Sequence, residues 1–140
     1  MTGRNSTYKF FESRPDRKAA NRRVTTLDKF MYDKKQGDDM RYHNITKDDM
    51  LNGDGLRVVL WVSGCNHCCE ECQNPITWDP NGGIPFNQEA KNELFEELGK
   101  SYVSGITLSG GDPLHPANRL DIRALVHEIR EKFPTKTIWL

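Results

Sequence analysis

All four cysteines of this 140-residue chain fall within the eight residues Cys65-Asn66-His67-Cys68-Cys69-Glu70-Glu71-Cys72. Thiolates gathered this densely behind an apolar run point to metal binding, because soft sulfur donors select zinc, copper(I) or iron-sulfur clusters. Structural zinc usually draws two C-x2-C pairs from separate turns, so that four sulfurs close a tetrahedron. Here Cys65/Cys68 and Cys69/Cys72 abut, and four sulfurs on so short a loop would struggle to converge on one small ion. The ferredoxin run C-x2-C-x2-C is not met either. The spacing that is met is C-x3-C-x2-C, through Cys65, Cys69 and Cys72. Three cysteines on a 4Fe-4S cube leave one iron without a protein ligand and open to a substrate, which makes the cluster catalytic where a fully ligated one is an electron wire.

Two glycine-bearing segments accompany the cysteines. In Ser109-Gly110-Gly111-Asp112-Pro113 the paired glycines let backbone come close to a ligand, although by itself the segment reads equally as a strand-to-helix turn. Asn52-Gly53-Asp54-Gly55 marks a tight turn before the first strand, and alone it is a plain loop.

The elements that must position these residues follow from the apolar pattern. Val58 to Val62 are continuously apolar, as expected of a parallel strand covered on both faces, and its carboxyl end delivers the cysteine loop through Ser63-Gly64. A turn-rich stretch, Asp79 to Pro85, leads to a helix with Asn87 as N-cap, Ala90, Leu94, Phe95 and Leu98 on its core face, and Gly99 at its end. Glu89, Glu93, Glu96 and Glu97 are expected to be solvated. A short strand over Gly105 to Leu108 runs into Ser109-Gly110-Gly111, and a second helix from about Ala117 to Lys132 turns Ile122, Leu125, Val126, Ile129 and Phe133 inward until Pro134 stops it. Thr137 to Leu140 form a third strand, and Trp61 and Trp139, both in strands, are assigned to the core. Strand, helix, strand, helix, strand gives an α/β fold with a parallel sheet backed by helices, whose functional loops meet at the carboxyl ends of the strands.

The pattern Cys65-x3-Cys69-x2-Cys72 resembles the signature of the radical S-adenosylmethionine enzymes. Asn52 to Arg57, the strand, Gly64-Cys65-Asn66-His67 and Cys72-Gln73-Asn74-Pro75-Ile76-Thr77-Trp78 look like the branch that activates the anaerobic ribonucleoside-triphosphate reductase, over about Met40 to Leu140. The resemblance implies a 4Fe-4S cluster on the three cysteines and S-adenosylmethionine held by Ser109, Gly110, Gly111, Asp112 and Pro113, a Gly-Gly-Glu-Pro type motif with Asp in place of Glu. It implies reductive cleavage of that cofactor and a glycyl radical formed on the large reductase subunit, with a low-potential donor such as flavodoxin or ferredoxin. No catalytic residue beyond the cluster ligands is expected. The implied fold is a partial, open (β/α) barrel. A closed eight-unit barrel takes about 250 residues, so this chain is expected to hold the amino-terminal part and to stop at the third strand. The resemblance also sets the Asn52 to Gly55 turn beside the cluster, makes Cys68 a bystander, and gives Asn74, Thr77 and Trp78 a part in packing the loop. His67 is expected to shape the loop or partner a neighbouring backbone group, while His43, His115 and His127 show no ligand spacing. Activation of another glycyl-radical enzyme, and a non-catalytic zinc or iron-sulfur module, are the competing readings.

Composition narrows the setting. Residues 1–39 carry ten Lys/Arg against six Asp/Glu, and residues 40–140 carry ten against fourteen. The basic first segment has little apolar periodicity and is expected to be a poorly packed extension, ahead of a domain over 40–140. Its short mixed-charge runs make nucleic acid an unexpected partner. No apolar run is long enough for a membrane span or a signal peptide, so a cytoplasmic protein is expected, where clustered cysteines favour metal over disulfides.

Overall fold

The computed structural model describes residues 39–140; apart from Asp39, the basic segment lies outside the described residues. In chain order the elements are β1 (Arg41–Asp49), β2 (Leu56–Val62), β3 (Ile84–Pro85), α1 (Gln88–Leu98), β4 (Val103–Gly110), α2 (Arg119–Lys132) and β5 (Thr137–Trp139). The five strands form one open sheet in the order β3-β1-β2-β4-β5.

The apolar run of β2 sits at the centre of that sheet because it is buried almost throughout. Val58, Val59, Leu60 and Val62 have no exposed surface. Alternation sends Val58, Leu60 and Val62 to one face, where they pack with Ile106 and Leu108 of β4, Leu94 and Leu98 of α1, and Ile122, Leu125 and Ile129 of α2. Each such side chain contributes roughly 1.5–3 kcal/mol on burial, so this layer fixes where both helices lie. The helix ends follow their sequence signals. Asn87 Oδ1 accepts the Ala90 N–H at 3.0 Å, and the Gly99 N–H closes α1 on the Phe95 carbonyl at 3.0 Å.

Several expectations are corrected. The sheet is mixed, since β2 pairs parallel with β4 and β4 with β5, while β1 lies antiparallel to β2 and β3 antiparallel to β1. β1 escapes period-two reading because a register shift between Tyr42 and Asn44 puts its buried apolar residues, Tyr42 and Ile45, three positions apart. Glu97 is buried at 6% exposure, drawn in by Lys47 and Lys100, whose ammonium groups lie 3.6 and 2.6 Å from its carboxylate. Trp139 is 42% exposed and Trp61 only partly buried, so neither belongs to the core. The strand over Gly105 to Leu108 is longer at both ends, and α2 starts two residues later than expected.

The second face of the sheet holds a buried charge. Arg57, with no exposed surface, donates to the Thr107 and Thr137 hydroxyls at 2.8 Å each and to the carbonyls of Asp54, Ile106 and Thr137 at 3.1, 2.7 and 3.2 Å. Its guanidinium lies 5.2 Å from the centre of the Trp139 ring. Burial pushes its pKa down, and the nearby Asp54 charge works the other way. No helix among the described residues is long and apolar enough to cross a membrane.

Candidate cluster-binding site

Parallel register brings the two candidate segments together. Val62 stands opposite Gly110, so β2 and β4 end level and their loops leave the sheet side by side. The Gly111 N–H donates to the Val62 carbonyl and the Asp112 N–H to the Gly64 carbonyl, both at 2.8 Å. A Cβ on Gly111 would sit 2.6 Å from the Gly64 carbonyl oxygen and 3.0 Å from those of Thr77 and Val62. Only glycine permits this approach. Gly64 and Gly110 have φ values of +102° and +91°, a region side chains disfavour.

The cysteine loop is closed at its base. Gly64 and Cys65 donate their N–H groups to the carbonyls of Thr77 and Trp78, at 2.7 and 3.1 Å. Thr77 is 2% exposed and its hydroxyl donates to the Asn74 carbonyl at 2.7 Å, holding a 3-10 turn over Pro75–Thr77. Thr77 and Trp78 thus pack the loop. Trp78 Nε1 also donates to Cys72 Sγ at 3.3 Å, tying the last cysteine to the base of the loop.

All four cysteines are free thiols, Cys65 and Cys72 partly buried, Cys68 and Cys69 exposed. Among the described residues no three His, Cys, Asp or Glu side chains are gathered as a ligand set. Cys65, Cys69 and Cys72 therefore share one anchored loop without converging on a point. Cys68 has φ +47°. His67, expected to shape the loop or to partner a neighbouring backbone group, has its Nε2 3.4 Å from Asp112 Oδ2, a contact that spans the two loops. His115 is buried against Gly64 and its Nδ1 accepts the Ala117 N–H at 3.1 Å.

A cleft of about 300 Å³ opens beside the loop, between Thr46 and Trp61 of the sheet and Asn74, Ile76 and Thr77 beyond the last cysteine. His43 also lines it, and its buried Nε2 has no hydrogen-bond partner. The Asn52 to Gly55 turn is corrected in position. It precedes β2, and a seven-residue strand of roughly 20 Å separates it from Cys65. The Asn52 carbonyl there accepts from the Thr107 hydroxyl at 2.6 Å.

Asn118 is the site residue that the sequence did not single out. It is 1% exposed, and its Nδ2 donates to the Ser63 carbonyl at 2.7 Å and the Asp112 carbonyl at 3.0 Å. The available signal was an Asn just ahead of a helix, which reads as an N-cap.

Residues 51–140 match the family described as a 4Fe-4S single cluster domain. The chain is similar to proteins named anaerobic ribonucleoside-triphosphate reductase-activating protein. The one from Enterobacteria phage T4 is 48% identical over 101 residues, covering 72% of this chain and 65% of the relative. Those from Salmonella typhi and Escherichia coli K12 are 47% and 45% identical over 103 residues, each covering 72% of this chain and 67% of the relative. The chain thus spans about two thirds of the length of these relatives.

Proposed function

The chain belongs to the family of anaerobic ribonucleoside-triphosphate reductase-activating proteins, and on that premise we propose that it cleaves S-adenosylmethionine reductively at a 4Fe-4S cluster on Cys65, Cys69 and Cys72. The product is a glycyl radical on the large subunit of the anaerobic reductase. We read β2, β4 and β5 as the first strands of a partial (β/α) barrel of radical S-adenosylmethionine type. The protein works in the cytoplasm, with a low-potential donor such as flavodoxin or ferredoxin.

The observation that carries this reading is the fusion of the two loops. A cysteine loop and a Gly-Gly loop are bonded to one another through Gly111 to Val62 and Asp112 to Gly64 at the level ends of two parallel strands. The donor set suits the cluster, because three free thiols within eight residues give soft ligands and leave one iron open. A cluster held by these cysteines would supply the electron for reductive cleavage of a carbon-sulfur bond of the sulfonium, the chemistry from which hydrogen removal at the partner's glycine would follow.

The chain's own residues bind and orient. Cys65, Cys69 and Cys72 hold iron, and binding draws their loop together. The N–H groups of Gly111 and Asp112 are spent on the Val62 and Gly64 carbonyls, so these two donors serve to join the rim to the cysteine loop and not to bind an anion. Thr77, Trp78 and Asn118 keep the loop over that rim.

Electron paramagnetic resonance on anaerobically reconstituted, reduced protein, with and without S-adenosylmethionine, tests the proposal. A reduced 4Fe-4S signal that changes with the cofactor is expected. One zinc per chain and no sulfide in anaerobically isolated protein would refute it and leave a zinc module.

A further inference from the structure

We infer that Asn118 is the positioning residue that sets the cysteine loop against the Gly-Gly rim, a role that rests on the function proposed above. Asn118 stands at the N-cap position of α2, yet its side chain makes no capping bond. Capping by Asn stabilises a helix, and here the group is used across 55 residues of sequence instead.

The carboxamide is suited to this use. Its NH2 group has two hydrogens held in one plane, and one is directed at each of two carbonyls. The first belongs to Ser63, where the chain leaves β2. The second belongs to Asp112, where it leaves the Gly-Gly pair. Ser63 is fixed on its other sides too, since its N–H donates to the Arg41 carbonyl at 2.9 Å and its hydroxyl to the Gly82 carbonyl at 2.9 Å. The Asp112 carbonyl also accepts the His115 N–H at 3.0 Å. Asn118 is therefore a neutral, buried link between two loop roots that are otherwise joined by the backbone bonds of Gly111 and Asp112 and by the exposed contact of His67 with the Asp112 carboxylate. Asp, of the same shape, has no hydrogen to give at neutral pH and turns a carboxylate toward two carbonyls. Ala leaves both carbonyls without this donor.

Cluster ligation depends on the cysteine loop alone, whereas cofactor binding needs that loop and the rim in register. Loss of Asn118 is thus expected to separate two properties that general destabilisation would lower together. Asn118→Asp and Asn118→Ala are reconstituted beside the unaltered chain, and iron, sulfide, thermal midpoint and S-adenosylmethionine affinity by resonance titration are measured. The expected result is iron and sulfide within error of the unaltered chain, with cofactor affinity weaker by about tenfold or more, as the loss of a buried donor predicts. If Asn118→Asp does not fold, Asn118→Ala decides. Unchanged affinity in a folded, cluster-bearing variant overturns the inference. Parallel loss of iron, stability and affinity also overturns it, since Asn118 is then a structural residue only. An unaltered chain that takes up the cluster but ignores the cofactor refutes the proposed function itself, which separates that failure from this one.

Discussion

The Gly111 nitrogen lies 2.8 Å from the Val62 carbonyl oxygen, continuing the pairing with β2 one residue past the end of β4. A Gly-Gly pair at that point is a requirement of packing, apart from the ligand binding proposed for it. Gly111→Ala would place a Cβ 2.6 Å from the Gly64 carbonyl oxygen, and backbone cannot retreat as a side chain can. A loss of roughly 2–3 kcal/mol in unfolding free energy is expected, together with loss of the cofactor-dependent resonance change. Urea denaturation checks the first and resonance titration the second.

Arg57 predicts a failure of conservative exchange. Its five N–H groups all meet neutral oxygens, spread over Asp54, Ile106, Thr107 and Thr137. Lysine brings only three donors on a single atom and cannot reach this set. Arg57→Lys and Arg57→Met are both expected to cost roughly 2–4 kcal/mol. Chemical denaturation showing Arg57→Lys as stable as the unaltered chain would contradict this account.

Glu97 predicts a pH dependence. The hydrogen bond from Lys100 holds its carboxyl below the usual range; burial opposes this, and the charges of Lys100 and Lys47 add to the lowering. A carboxyl with a lowered folded value stabilises fully above its unfolded value and loses that contribution as pH falls through the folded one. Glu97→Gln is therefore less stable than the unaltered chain at neutral pH, and the difference narrows as pH falls from neutral into the acid range. Denaturation midpoints of both proteins across that range provide the check.

The proposed ligand set predicts an asymmetry among four neighbouring thiols. Cys68→Ser is expected to retain the iron and sulfide of the unaltered chain. Cys65→Ser, Cys69→Ser and Cys72→Ser are each expected to lose most of both. Equal losses in all four would make Cys68 a ligand and close the open iron on which the proposed chemistry depends.

The site was legible where its information is local. The proposed cluster ligands Cys65, Cys69 and Cys72 stand out by spacing and Gly110 and Gly111 by their place at a strand end, and α1 is marked by the cap at Asn87 and the stop at Gly99. These signals depend on neighbours within a few residues, which a single chain displays in order. β1 was hidden because its bulge interrupts the alternation that marks a strand.

The tertiary structure alone decided which polar residues went inside and to what use. Glu97 carries the helical pattern of a solvated residue and is buried because Lys47 and Lys100 arrive beside it. Arg57 is buried because carbonyls and hydroxyls from β4 and β5 surround it. Asn118 reads as a cap and serves as a link because Ser63 and Asp112 are brought within its reach. Burying a polar group is tolerated only where partners satisfy it, and these partners come from segments far apart in the chain, so their meeting is fixed by the fold and not by any local run of residues.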